Sequence, residues 1–273
     1  MTYRRILTIQ DISCVGQCSM TVALPILSAC GHETCILPSA VLSTHTGGFG
    51  KPEVVDLTGN MDAIRRHWQR EGITFDAIYT GYLGSVEAIS AAAQIMNELL
   101  APGGKIIVDP AMADHGKLYS GLDETYAEAM KGLCLRADVM LPNVTEAAMM
   151  TGLPYRDSFD EAYIGELLRS LGGKDVVLTG AVAQPGKTGA AIRRDGEISF
   201  YSHDRVGTSY SGTGDMFASA FTGAWMRGKS IEQSVKIAAD FTCRSIQNTY
   251  DHPAHRYGVK FETALPDLID MLK

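Results

Sequence analysis

A helix that opens on glycines and then an acid has the groups to hold an anion and move a proton in one place. The stretch "GTSYSGTGDMFASAFTGAW" (207–225) has this form: Gly207, Gly212 and Gly214 precede Asp215, and a run of apolar and small residues follows. The first turn of a helix carries free N–H groups at the positive end of the macrodipole. Glycines let the backbone curl until several of those N–H groups converge on one anion. With Gly212, Thr213 and Gly214 as the anion hole, Asp215 is placed to take a proton from a nucleophile attacking the held group. The same residues also fit a plain helix start with an aspartate cap.

Other polar residues gather in segments of the same kind. In "VDPAMADHGKLY", Asp109 ends an apolar run and Asp114 sits in the loop beyond it. Two such acids suit Mg²⁺ or a polyphosphate, and equally a turn aspartate beside a solvated one. In "LPNVTEA", Asn143 and Glu146 have the spacing of a capping box; the functional alternative has Glu146 reaching Mg²⁺ through water. "STHTGGFG" offers the Thr46 hydroxyl to a small polar ligand, with His45 more readily structural. "GAVAQPGKT" imitates a P-loop, but Ala181 stands where the first glycine belongs, and the residues after Lys187-Thr188 read as a strand where a P-loop opens a helix. His252-x-x-His255 lies in a polar tail without a third ligand nearby and reads as surface. Asn143-Val-Thr145 matches a glycosylation triplet, without consequence in a cytoplasmic protein.

The elements that must position these residues alternate in type. "RILTIQ", "TCILP", "FDAIYTG", "KIIVDP", "ADVMLPN" and "DVVLTG" read as buried strands. Between them, 19–30, 58–71, 86–99, 122–132, 143–151 and 160–171 carry helical periodicity. This is the rhythm of a mostly parallel sheet covered on both faces, an α/β fold. After Gly186, "TGAAIRRDGEISFYSHD" predicts a hairpin turning at Asp195-Gly196, and helices follow at 214–227, 230–249 and 261–271. No linker or repeat divides residues 1–273, which predicts a single domain. Open parallel sheets bind ligands beyond the carboxyl ends of their strands, where the polar, glycine-rich segments fall.

Composition narrows the partners. The 273 residues carry 24 Lys and Arg against 31 Asp and Glu, a net charge of −7. Basic residues adjoin only as pairs (Arg4-Arg5, Arg65-Arg66, Arg193-Arg194), which argues against nucleic acid. The N-terminal apolar stretch is too short for a secretory signal core, and no run approaches a membrane span. The chain therefore reads as cytoplasmic. Cys14, Cys18, Cys30, Cys35, Cys134 and Cys243 form no C-x-x-C pair, so they read as free thiols and not as a zinc site.

Taken together, "ILTIQDISCVGQCS", "LPSAVLSTHTGGFG", "TGYLGS", "VDPAMADHGKLY", "LPNVTEA" and "SGTGDMFASA", in that order, resemble the ribokinase superfamily, and within it the pyridoxal (vitamin B6) kinases. The resemblance covers nearly the whole chain. It implies a ribokinase-like fold, a central mostly parallel β-sheet flanked by α-helices on both faces. It also implies ATP and Mg²⁺ across the carboxyl edge, and phosphorylation of the 5′-hydroxymethyl group of pyridoxal, pyridoxine or pyridoxamine. Asp215 then corresponds to the general base, and Gly212, Thr213 and Gly214 to the anion hole. Asp114 belongs near the γ-phosphate and metal, Asn143 and Glu146 to the Mg²⁺ site, and Thr179 at the ATP phosphates. Asp11, Thr46 and Tyr82 belong around the pyridine ring, and the loop from Asp114 to Tyr119 closes over the nucleotide. The family precedent is a homodimer; dependence on K⁺ is left open.

The chain departs from the family at Asp11, where many members have serine, and at Ala113, where glycine is common. An acid at position 11 bears on the choice among vitamers or on a protonated ring nitrogen. Cys14 and Cys18 fall near the expected pocket mouth and read as inert. Two other functions compete. Hydroxymethylpyrimidine kinases of the same superfamily usually carry cysteine where this chain has Asp215. A non-catalytic pyridoxal-phosphate or nucleotide binder would keep the fold without turnover.

Overall fold

Successive side chains of a strand point to opposite faces, so strands that are apolar throughout need cover on both sides. The structure, a computed structural model, describes residues 3–207, 210–252, 255 and 257–273. It meets that need with a nine-stranded sheet between two helical layers. Thr208 and Ser209 of the glycine-rich stretch, and Pro253 and Ala254 between the two tail histidines, lie outside the described residues.

The first half of the chain forms β1 (Arg5–Ser13), α1 (Met20–Ala29), β2 (Glu33–Leu42), β3 (Val54–Asp56), α2 (Thr58–Arg70), β4 (Phe75–Thr80), α3 (Val86–Leu99) and β5 (Leu100–Val108). The small pair β6 (Ala113–Asp114) and β7 (Lys117–Leu118) follows, then α4 (Glu124–Cys134), β8 (Val139–Met140), α5 (Val144–Thr151), α6 (Glu161–Ser170) and β9 (Asp175–Thr179). The chain continues through β10 (Lys187–Arg194), β11 (Glu197–Asp204), α7 (Thr213–Met226), α8 (Ile231–Tyr250), a 3₁₀ turn at Phe261–Ala264 and α9 (Leu265–Met271).

The sheet order is β11-β10-β9-β8-β5-β4-β1-β2-β3. The strands from β9 across to β2 run parallel, and β3, β10 and β11 complete the edges antiparallel. Leu7, Ile9, Ile78, Val108, Met140, Val176 and Leu178 enter the layer of α2 to α6. Their neighbours Ile6, Ala77, Tyr79, Ile107, Val139 and Val177 enter the layer of α1, α7, α8 and α9. The hairpin predicted at Asp195-Gly196 joins β10 to β11, with φ of 49° and 85° at those residues, as a primed turn requires.

The sequence and the structure differ at short elements. β1 and β2 continue to Ser13 and Leu42, beyond their apolar runs, because Ile12 and Ser13 stay paired with Val41 and Leu42. β3, β6 and β7 are too short to carry a periodicity. The helix expected over 261–271 is a 3₁₀ turn followed by α9, with Pro266 in the first turn of the new helix.

Two helices of one layer, α1 and α7, approach closely at their last turns. A Cβ on Gly223 would overlap the Cys30 side chain. His32 Nε2 lies 2.9 Å from the Gly223 carbonyl, and Arg227 Nη1 donates to the Cys30 carbonyl at 2.9 Å. The opposite ends of the same two helices meet at the carboxyl edge of the sheet.

Candidate active site

Outward from β1 the chain builds β2 and β3 on one side and β4 onward on the other, so strand order reverses at β1 and β4. Such a switch point opens a crevice beyond the strand ends. Asp11 and Tyr82 stand there, joined by the Asp11 N–H donating to the Tyr82 carbonyl at 3.2 Å. The Asp11 side chain is only 3 % exposed and accepts from Ser13 Oγ at 3.2 Å. Burial raises its pKa; the Ser19 and Ser13 hydroxyls and the nearby His45 oppose that rise. Burial likewise raises the Tyr82 phenol, helped by the Asp11 charge. The loop carrying His45 and the exposed Thr46 folds against this site: His45 N–H donates to the Val15 carbonyl at 2.8 Å, and Gly47 packs beside Ser211.

The helix start predicted from the glycines is present, one residue earlier than expected. Gly212 is the N-cap of α7, with φ 79°. That left-handed conformation, and an overlap of any Cβ with the Gln17 carbonyl, both require glycine there. Gly214 is different: a Cβ there would meet no protein atom. The open space lies over the first turn of α7, where N–H groups and the dipole favour an anion. Asp215 accepts the Ser19 N–H on Oδ2 at 2.9 Å. Burial pushes its carboxyl up to about 6, against the pull of that N–H and with the Asp11 charge adding to the rise. It is therefore ionised at neutral pH yet basic enough to accept a proton.

A second group of acids lies beyond β5. Asn143 caps α5, accepting the Glu146 N–H at 2.9 Å, and Glu146 Oε2 accepts the Asn143 N–H at 2.8 Å. The capping-box alternative is thus realised. Glu146 Oε1 also accepts from Met112 N at 2.9 Å and Ala113 N at 3.4 Å. Burial raises this carboxyl to about 7 in spite of those donors. Asp109 is 8 % exposed, accepts the Ala111 N–H at 3.2 Å, and is pushed well up by burial and then by the charges of Glu146 and Asp215. Asp109, not Asp114, is the acid buried with Glu146. Asp114 stands exposed at the tip of the β6–β7 pair, accepting the His115 N–H at 2.8 Å. Thr179 adjoins Asn143 in an isolated bridge, and its N–H donates to the Pro142 carbonyl at 2.8 Å.

Among the described residues no group of three or more His, Cys, Asp or Glu side chains converges as a metal cluster. With three backbone N–H groups on its oxygens, Glu146 is suited to reach an ion through water. That fits Mg²⁺, which keeps its waters and takes one or two carboxylates together with substrate phosphates.

Ser19 gave no signal in the sequence, because its role lies in a backbone N–H. Nor did the tail: His255 Nε2 lies 2.9 Å from Gln17 Oε1, and its ring lies tilted against Tyr257 at 4.6 Å between centroids. His255 therefore packs against the site's rim rather than standing free on the surface. Cys18 is buried and its thiol is pushed up to about 12, by burial and then by the charge of Asp215, in keeping with the inert reading. All six cysteines are free. No helix among the described residues is long and apolar enough to cross a membrane.

Comparison with known proteins bears on what this arrangement does. A family model described as phosphomethylpyrimidine kinase matches residues 52–259. The hydroxymethylpyrimidine/phosphomethylpyrimidine kinase of Bacillus subtilis is 29% identical over 218 residues, 79% of this chain and 77% of that protein. The structure of pyridoxal kinase from Lactobacillus plantarum superposes with a TM-score of 0.91 at 32% identity, covering 99% of this chain and 98% of that one. A Bacteroides thetaiotaomicron protein provisionally assigned as a phosphomethylpyrimidine kinase, crystallised with pyridoxal, gives a TM-score of 0.90 at 33% identity, covering 98% and 96%. The family model spans most of the chain and both structures superpose along nearly their whole length, so the chain is a kinase of the pyridoxal/phosphomethylpyrimidine kinase family, built on the ribokinase-like fold.

Proposed function

We propose that the chain transfers the γ-phosphate of ATP to the 5′-hydroxyl of a B6 vitamer. The observation that carries this reading is the Asp215 carboxylate in the first turn of α7, its Oδ2 held by the Ser19 N–H at 2.9 Å, beside the open face of Gly214. Asp215 takes the proton of the acceptor hydroxyl as its oxygen bonds to the γ-phosphorus. The bond from that phosphorus to the bridging oxygen breaks, and ADP leaves. Charge spread over the phosphoryl oxygens is met by the N–H groups of Gly212, Thr213 and Gly214 and by the helix dipole. Asn143 and Thr179 line the nucleotide side. Asp114 and, through water, Glu146 would hold Mg²⁺, which would supply positive charge against the phosphates. Asp11, Thr46 and Tyr82 face the acceptor ring. Homodimerisation and a cytoplasmic location belong to the same proposal, the former checked by sedimentation equilibrium and any K⁺ dependence by initial rates.

A second reading, phosphorylation of hydroxymethylpyrimidine, is favoured by the family description that matches residues 52–259. Asp215 in place of the cysteine usual in those kinases supports the vitamer. The deciding assay is ADP release with Mg-ATP and, separately, pyridoxal, pyridoxine, pyridoxamine and hydroxymethylpyrimidine, with product mass confirmed. Turnover with a vitamer is expected. Turnover on the pyrimidine alone would move the chain to the second reading, and silence with all four would leave a binding protein.

A further inference from the structure

Residues of the C-terminal tail hold the turn that precedes α1. The Gln17 N–H donates to the Tyr257 carbonyl at 2.9 Å. Gln17 Nε2 donates to both oxygens of Glu262, at 2.8 and 2.9 Å, and its Oε1 is the atom that His255 Nε2 approaches. Gly258 packs on the Gln17 Cβ, which any side chain at 258 would overlap. Gln17 is also the residue whose carbonyl presses on Gly212. Tyr257, Gly258 and Glu262 therefore grip the turn that meets the N-cap of α7.

The ring of Tyr257 meets a different wall of the cleft. Its centroid lies 6.0 Å from that of Phe49, with 36° between the planes, within the range of a favourable aromatic pair. Phe49 is the one apolar side chain of "STHTGGFG", the loop that carries Thr46. That loop is tied where it begins and where it ends. His45 N–H donates to the Val15 carbonyl at 2.8 Å, Gly47 N–H to His45 Nδ1 at 3.0 Å, and Glu53 N–H to Ser43 Oγ at 3.0 Å. Among the described residues no hydrogen bond reaches Gly48, Phe49 or Gly50. Glycines on both sides of Phe49 leave the backbone there free to move, so ordering of the tip falls to the Phe49 ring.

We propose that Tyr257 is a positioning residue for the acceptor, its carbonyl seated on the turn at Gln17 and its ring holding Phe49, so that the loop with Thr46 is fixed against the start of α7. The proposal rests on the kinase reading for what that loop binds, though not for the contacts themselves. Tyr257 touches neither nucleotide nor acceptor and acts through Phe49 alone.

Tyr257→Ala removes the ring and keeps the carbonyl bond to Gln17; Tyr257→Phe keeps both. Tyr257 is 37 % exposed, so truncating it leaves the core intact. With the acceptor that turns over, Tyr257→Ala should raise KM for that acceptor about fivefold, with kcat and KM for ATP moving by less than about twofold. Phe49→Ala should do the same. The double variant should be no worse than either single one, since both remove one contact. Tyr257→Phe should match wild type. Amide hydrogen exchange over residues 46–50, followed by mass spectrometry, should run about fivefold faster in Tyr257→Ala and at the wild-type rate in Tyr257→Phe. A tyrosine that serves the fold alone would lower Tm without separating the two KM values. Exchange that stays at the wild-type rate in Tyr257→Ala overturns the proposal, as does an acceptor KM that stays put or single effects that multiply in the double variant. The exchange measurement needs no turnover. An inactive wild type would therefore sink the kinase reading while this readout still decides whether Tyr257 holds the loop.

Discussion

Asp215 sits under opposed influences, and both have measurable consequences. Burial raises its pKa to about 6 and the Ser19 N–H restrains the rise. If Asp215 is the base of the proposed transfer it must be ionised, so turnover should fall as pH drops through about 6. Asp215→Ala should reduce kcat by about 10²–10⁴-fold with ATP affinity largely kept; near-normal turnover in steady-state kinetics would remove Asp215 from the mechanism. Stability runs the other way. A carboxyl whose folded pKa exceeds its unfolded value favours the fold at low pH, and that contribution is lost as pH rises through the folded value. Asp215→Asn should therefore raise Tm at about pH 8 and give no such gain at about pH 3. The start of α7, with Gly212 at its N-cap and Asp215 in its first turn, was legible because glycines followed by an acid mark a helix N-terminus. Ser19 was not, since any residue but proline offers an N–H and only three-dimensional contact shows where it points. The burial of Asp109 was legible from its place at the end of an apolar strand, whereas its nearness to Glu146 was not, since the two are far apart in sequence.

At the scale of elements, the start of α7 separates the two glycines that bracket Thr213. Gly212 is required by the protein itself, because of its φ of 79° and the Gln17 carbonyl against it. Gly214 is not, since nothing surrounds a Cβ there. Gly212→Ala should destabilise the fold by about 2–3 kcal/mol. Gly214→Ala should gain about 0.5 kcal/mol from helix propensity while turnover falls by about 100-fold, its methyl standing where a phosphate is to lie. Denaturant melts and initial rates on the two variants check this; a Gly214→Ala enzyme with unaltered kinetics would place the phosphate elsewhere. Long elements were readable because α3 over Val86–Leu99 and α8 over Ile231–Tyr250 repeat their apolar faces over several turns. The two-residue strands β6 and β7 have no period to read, although they hold Asp114 over the N-terminus of α5 through the Gly116 N–H on Thr145 Oγ1 at 3.1 Å.

Over the whole molecule, one nine-stranded sheet carries residues of the site from Asp11 within β1 to Thr179 at the end of β9. If residues 1–273 act as a single domain, calorimetry should show one unfolding transition with equal calorimetric and van't Hoff enthalpies. Mg-ATP at about 100 times its Kd should add about 2.7 kcal/mol and move that transition upward without splitting it. Two transitions, only one of them shifted by nucleotide, would divide the chain. The layer order was legible from strands apolar on both faces, whereas the meeting of α1 with α7 was not, because it depends on a glycine that reads in sequence as one small residue among many. That contact has a mechanical meaning. Gly223, packed on Cys30, is the pivot of a caliper whose jaws are Ser19 and Asp215. About 12 Å of helix separate pivot from jaw. The grip of Ser19 on Asp215 is thus set at the far end of the two helices, and a single methyl group added at the pivot would open it.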